Sequence, residues 1–191
     1  MIIDLFKTSI LRTKLKDDSL NSIILNKLEI YKKNNKSRVI TNVLGFQSED
    51  IKDKDLLETL GKNISEPIKT YLNEFRLADF KLTMTGAWIN ENFKHSYNLV
   101  HDHPGNHLSG VYYVKTFKNS GNIKFYRNDQ GLHWSEFYNY AKGPSSFTTY
   151  EIEPEDNDLL LFPSYLKHGV GINLSDKSRV SLAFNMTFSK K

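Results

Sequence analysis

Cysteine is absent from the 191 residues, which removes disulfide frameworks, thiolate metal sites and cysteine nucleophiles from consideration and fits a reducing compartment. No apolar run approaches the roughly 20 residues that a helical membrane span needs. The opening Met1-Ile2-Ile3-Asp4-Leu5-Phe6 lacks the basic stretch and cleavage pattern of a signal peptide, so a cytoplasmic location is expected. There is no dense basic block either. The 26 Lys and Arg against 22 Asp and Glu, a formal charge of +4, are scattered among polar residues. That distribution reads as a solvated surface and argues against a nucleic-acid footprint. Internal repeats and low-complexity segments are also missing.

What is present points to one folded unit spanning 1–191, long enough to bury a sizeable core. Residues 1–80 read as an N-terminal strand with supporting helices. Ile3, Leu5, Ile10, Leu11 and Leu15 alternate loosely enough for an edge strand. Asp17, Asp18 and Ser19 offer N-caps for a helix over about 18–33, along which Leu20, Ile23, Ile24, Leu28 and Tyr31 recur at helical spacing. A short extended piece over 39–46 precedes two further helices, about 53–61 and 65–78. Pro67 falls in the first turn of the second, where its missing N–H costs nothing, and Leu72, Phe75 and Arg76 follow.

From residue 81 the texture changes. Segments 80–90, 97–100, 109–117, 122–126, 146–151, 158–162, 167–172 and 179–188 are short, β-branched and aromatic, with Gly, Pro, Asn and Asp clusters between them. They predict a mainly β, α+β protein whose sandwich or jelly-roll core over 81–191 carries helices on one side. The exception is 127–143, with His133, Trp134, Phe137, Tyr138 and Tyr140, which reads as a covering loop over a cavity or as a peripheral mini-core.

Chemistry concentrates in the stretch from Asn98 to Val114, where His101, Asp102, His103 and His107 fall close together. In extended chain, residues two apart share a face, so His101 and His103 can converge on one point while Asp102 faces away. Paired imidazoles at a strand end begin a transition-metal site; a solvated loop is the bland alternative. Far along the chain, the buried-type strand 159–162 breaks at Pro163 and leads to His168, at a separation that suits a neighbouring strand. The last strand alternates again. Val180, Leu182, Phe184 and Met186 would fill the core between sheets, leaving Arg179, Ser181, Ala183 and Asn185 on the other face. Arginine's planar fork beside a serine hydroxyl has the makings of a carboxylate clamp, although Arg179 could instead pair with a surface carboxylate such as Asp176. Tyr112 and Tyr113 read as core, one on each face, with contact to a bound cosubstrate the alternative for one of them, and His95, His107 and His133 as solvated. His107 is held in reserve as a substrate contact.

These residues resemble those of a known family. His101-x-His103, His168 and Arg179-x-Ser181 look like the site of iron(II)/2-oxoglutarate-dependent oxygenases. More narrowly, Trp88-Ile89-Asn90, Asn98-x-x-His101-x-His103-Pro104, Leu108-Ser-Gly-Val-Tyr-Tyr113, Leu161-Phe-Pro-Ser164, His168 and Arg179-Val-Ser-x-x-Phe-Asn185 are similar to a prolyl-hydroxylase-like group found in phages and marine bacteria. Phe6 and Gly45-Phe46-Gln47-Ser48 resemble that group too, and the likeness is clearest over about 84–188.

The resemblance implies a double-stranded β-helix (jelly-roll) with Fe(II) held by His101, His103 and His168. It implies 2-oxoglutarate and O2 as cosubstrates, the far carboxylate of 2-oxoglutarate meeting Arg179 and Ser181. Asn98 and Asn185 are candidates for fixing the imidazoles by hydrogen bonds. The implied activity is C–H hydroxylation of an unidentified, possibly peptidyl substrate, in the host cytoplasm if the chain is phage-encoded. The family at large has His-x-Asp/Glu, and here the carboxylate position holds His103. That leaves a bound Fe(II) one unit more positive, which favours the dianionic cosubstrate and loosens the metal. A three-histidine dioxygenase independent of 2-oxoglutarate and a non-catalytic jelly-roll module, such as a phage accessory or structural protein with a structural metal, remain the alternatives.

Overall fold

The computed structural model describes residues 7–34, 37–75, 80–127 and 148–190. The expectations for Ile3, Leu5, Phe6, Arg76, 128–143 and the first two residues of 146–151 lie outside them. The chain enters through strand β1 (Leu11–Lys14), then helix α1 (Asp18–Asn34). Asp17 caps the helix, its carboxylate accepting from the Ser19 N–H at 3.0 Å. Leu20, Ile24 and Leu28, one turn apart, are essentially inaccessible. Lys32 and Lys33 in the last turn complement the helix dipole. Two short strands follow, β2 (Asn42–Val43) and β3 (Phe46–Gln47), joined through Leu44 in the left-handed region at φ 57°.

One helix, α2 (Lys54–Asn73), replaces the two expected over 53–78. Asp53 caps it by accepting from the Leu56 N–H at 2.9 Å. Pro67 lies inside the helix rather than in a first turn. The reason is visible in the buried stripe Leu56, Leu60, Ile64, Ile68, Tyr71 and Leu72, which runs on past the proline at helical spacing. Burying that continuous face outweighs the one backbone hydrogen bond the proline removes.

The strands that follow are β4 (Phe80–Asn92), β5 (Tyr97–His101), β6 (Leu108–Lys115), β7 (Ile123–Tyr126), β8 (Thr149–Ile152), β9 (Asp158–Pro163), β10 (His168–Val170) and β11 (Arg179–Lys190). Among the described residues they form two antiparallel sheets, ordered β1-β9-β6-β11-β4-β3 and β2-β5-β10-β7-β8. This is the expected mainly β, jelly-roll architecture with helices on one side. Residues from the N-terminal part complete it, since β1 and β3 edge the larger sheet and β2 edges the smaller.

Strand parity sorts the side chains into two layers. On β6 and β9, Leu108, Tyr112, Val114, Leu159 and Leu161 join α1 and α2 in one apolar cluster. Val111, Tyr113, Leu160 and Phe162 join Ile123, Phe125 and Ile152 of the smaller sheet in another. Both faces are buried, which is why these strands are apolar throughout. One expectation is corrected here. Val180, Leu182, Phe184 and Met186 of β11 belong to the helix-side cluster, not to the layer between the sheets. The helices demand an apolar face, so the space between the sheets receives Arg179, Ser181 and Ala183.

Gly110 sits opposite Phe184 in the β6–β11 register, and a Cβ there would lie 2.2 Å from the phenyl ring. By contrast, a Cβ on Gly61, within α2, would meet nothing within 4 Å. Gly110→Ala is expected to cost about 1–3 kcal/mol through overpacking, and Gly61→Ala to gain about 0.5–1 kcal/mol from helix propensity. Urea unfolding of the two variants checks both signs.

Candidate metal centre

His101 ends β5 and His168 begins β10, and the antiparallel register sets them directly opposite. Their ring centroids are 4.4 Å apart, and His103 stands 5.0 Å from the first and 5.1 Å from the second. One nitrogen from each ring lies within 4.8 Å of the other two, so the three could hold a metal ion. Asp102 is outside that cluster.

The rings are oriented by backbone. Nδ1 of His101 is 2.7 Å from the carbonyl oxygen of Leu99, and Nδ1 of His168 is 2.8 Å from that of Leu166. A carbonyl can only accept, so Nδ1 carries the proton in each and Nε2 keeps its lone pair. His103 is held through its backbone N–H, which donates to the Ser164 carbonyl at 2.9 Å, and its ring lies 5.9 Å from the Trp88 indole. Burial pushes the His168 pKa down to about 3 and that of His103 to about 4, with the neighbouring His101 adding in the same direction. Burial lowers His101 as well, against smaller upward pulls from the Leu99 carbonyl and Asp102. The three are neutral donors at neutral pH.

Asn98 and Asn185 were candidates for fixing these rings, and the structure corrects both. Asn98 lines the cavity, yet its Oδ1 accepts from Asn92 at 3.1 Å. It shares a face with His101 because β5 carries a bulge, three steps from Asn98 to His101 opposing two on β10. Asn185 accepts from Ser109 at 2.7 Å, and Ser109 meets Ser164 at 2.8 Å. It therefore supports the segment that anchors His103 and does not touch an imidazole. His107 is not a cavity residue. It stacks on Phe188 at 5.3 Å, and its Nδ1 accepts the Phe188 N–H at 2.9 Å.

The imidazoles open into a cavity of about 490 Å³ between the sheets, also lined by Arg179, Ser181, Ala183, Tyr113, Asn90 and Trp88. Arg179 is 2% exposed. Its Nη1 donates to the carbonyls of Ser120 at 3.0 Å and Gly121 at 2.5 Å. Its Nε has no partner, and no carboxylate pairs with it among the described residues. Asp176, the alternative partner, bonds Lys94 at 2.6 Å instead. Burial lowers the Arg179 pKa, and Tyr113 opposes that, but a guanidinium stays protonated across the physiological range. Arg179 is thus a buried cation that no carboxylate pairs with among the described residues, a costly arrangement unless an anion arrives.

The sequence favoured core packing for both Tyr112 and Tyr113, with contact to the cosubstrate as the alternative for one of them, and the structure makes Tyr113 the one that lines the cavity. Its parity with Val111, which faces the space between the sheets, was the available signal. The anchoring carbonyls of Leu99, Leu166, Ser120 and Gly121 carry no sequence signal at all, because every residue has one.

A family model described as "Putative 2OG-Fe(II) oxygenase" matches residues 86–185. Three solved structures illustrate the likeness of fold. HygX from Streptomyces hygroscopicus with nickel and 2-oxoglutarate bound is 14% identical, with a TM-score of 0.67 over 94% of this chain and 83% of that one. A Pseudomonas putida prolyl-4-hydroxylase is 13% identical, with a TM-score of 0.61 over 98% and 96%. A Trichoplax adhaerens prolyl hydroxylase, in complex with a hypoxia inducible factor oxygen degradation domain peptide fragment, is 15% identical, with a TM-score of 0.63 over 96% and 85%. A comparison with curated proteins finds no match.

The depressed imidazole pKa values make stability depend on pH with a definite sign. Between about 4 and 6.5 the unfolded chain binds protons that the folded one refuses, so the metal-free fold loses stability as pH falls through that window and has its full share above it. Urea midpoints at pH 7.5 and pH 5 are expected to show this loss, and His168→Gln to flatten it. Imidazole NMR titrations should find His103 and His168 still neutral at pH 5.

Proposed function

This chain belongs to the 2OG-Fe(II) oxygenase family, whose members use Fe(II), 2-oxoglutarate and O2, and from that premise we propose that it is a hydroxylase whose metal is held by His101, His103 and His168. The donor set fits the ion, because neutral imidazoles with free lone pairs suit divalent iron. The observation that carries the reading is Arg179, a buried guanidinium without a counter-charge in the same cavity as the three imidazoles. It is the complement of a small dicarboxylate that reaches the metal with one end. Arg179 and Ser181 receive the far carboxylate of 2-oxoglutarate, the arginine through its fork and the serine through its hydroxyl.

Bound together, iron and 2-oxoglutarate supply the oxidation: O2 is consumed, 2-oxoglutarate becomes succinate and CO2, and a substrate C–H bond becomes C–OH. The protein contributes orientation and dryness. The Leu99 and Leu166 carbonyls hold protons on Nδ1 of His101 and His168 and so aim Nε2 inward. Tyr113, Val111 and Phe162 exclude water along the cavity wall. The Ser120 and Gly121 carbonyls fix one edge of the guanidinium, leaving the rest for the ligand. Trp88 stands beside His103 on the cavity wall. By analogy with the two prolyl hydroxylases of similar fold, the substrate is proposed to be peptidyl, with proline the first residue to test; fold alone does not choose it.

A dioxygenase independent of 2-oxoglutarate, or a module with a structural metal, would have no use for Arg179 at this depth. Anaerobic addition of Fe(II) and then 2-oxoglutarate is expected to raise a visible metal-to-ligand charge-transfer band, and admission of air to yield succinate. Neither appearing would end the proposal. Arg179→Ala is expected to weaken 2-oxoglutarate binding by about a hundredfold, the scale of losing a charge-assisted bidentate contact. Metal affinity should change little, and Arg179→Lys should recover only part of the loss. His103→Asp, which returns a carboxylate to the ligand set, should tighten the metal and loosen 2-oxoglutarate, both measurable by titration calorimetry.

A further inference from the structure

Asp102 lies between two of the histidines and has no part in the reading above. Its side chain is half-buried and lines the cavity. No hydrogen bond or ion pair reaches its carboxylate among the described residues. Asp50, which also lines the cavity, has Arg38 at 3.6 Å, so of these two carboxylates Asp102 is the one without an ion pair among the described residues. Desolvating an anion with no partner is unfavourable, and its position suggests what offsets the cost.

Three imidazoles bring no charge to a divalent cation, and Arg179 adds another positive charge to the same cavity. Asp102, flanked in sequence by two of the ligands, is one of the two carboxylates that line the cavity among the described residues. It stands outside the cluster of ring nitrogens, so it can act on the ion through space without binding it. We propose that Asp102 is a positioning residue that supplies, from beyond the coordination sphere, the negative charge missing from the His101, His103 and His168 ligand set. The proposal rests on those three histidines holding the metal.

Two effects of opposite sign follow from Coulomb's law. Removing the charge weakens attraction for a divalent cation and relieves repulsion of a dianion that binds beside it. Co(II), followed by its visible bands in titrations of the native chain, Asp102→Asn and Asp102→Glu, serves as the metal probe, and 2-oxoglutarate is then titrated into each Co(II)-loaded protein. Asp102→Asn is expected to bind Co(II) about tenfold more weakly and 2-oxoglutarate several-fold more tightly, while Asp102→Glu stays within about twofold of the native chain. The Asn effect should shrink as salt is raised. Damage to the fold would weaken both ligands together and leave no salt dependence, so that result overturns the proposal. A loss of Co(II) affinity beyond about a hundredfold with altered bands would make Asp102 a ligand and overturn it as well. Unchanged affinities in Asp102→Asn, with the native chain binding Co(II), defeat the Asp102 proposal and leave the histidine site standing. Absence of Co(II) binding by the native chain defeats the histidine site itself.

Discussion

Along β11, consecutive side chains must leave opposite faces of the sheet, and no rotamer can exchange them. Val180, Leu182, Phe184 and Met186 go to the layer closed by α1 and α2. Their neighbours Arg179, Ser181 and Ala183 are thereby turned into the cavity between the sheets. The core and the candidate site are thus two sides of one strand. The helices matter to the chemistry only indirectly: by covering one face with Leu, Ile and Tyr side chains, they determine which residues of β11, β6 and β9 meet the second sheet.

Within the cavity, charge has been distributed sparingly. The imidazoles are neutral because burial makes protonation unfavourable, and the guanidinium cannot shed its proton. With a divalent ion bound, the ion and the guanidinium would bring three positive charges, of which a dianionic cosubstrate balances two. That imbalance separates this site from one built on His-x-carboxylate. It shifts electrostatic weight to whatever anions lie nearby, and the sequence neighbour of both leading histidines is a carboxylate.

The jelly-roll, the edge strand, the first helix and the strands from 80 onward were legible because alternating or helical apolar patterns report directly which face is buried. Pro67 misled because a local rule about proline was applied without seeing the apolar stripe of α2 continue past it. Asn98 and Asn185 misled for another reason, and so did the reserve role of His107, whose reading as a solvated residue agrees with its exposure. Hydrogen-bond partners are set by tertiary neighbours such as Asn92, Ser109 and Phe188, and proximity in sequence to a histidine says little about them. Tyr113 was read as core and is core, but on the face that also borders Arg179.

The sequence alone determined which residues along a strand share a face, and with that the pairing of His101 and His103 and the placing of Arg179 with Ser181, because backbone periodicity is a local property; it did not determine which layer each face of β11 meets. Only the tertiary structure decided that His168 lies across from His101, that a bulge brings Asn98 to the same face, and that backbone carbonyls orient two of the rings. It also decided that no carboxylate among the described residues pairs with Arg179. Register, burial and the absence of a partner each depend on residues distant in the chain, and no stretch of sequence contains them.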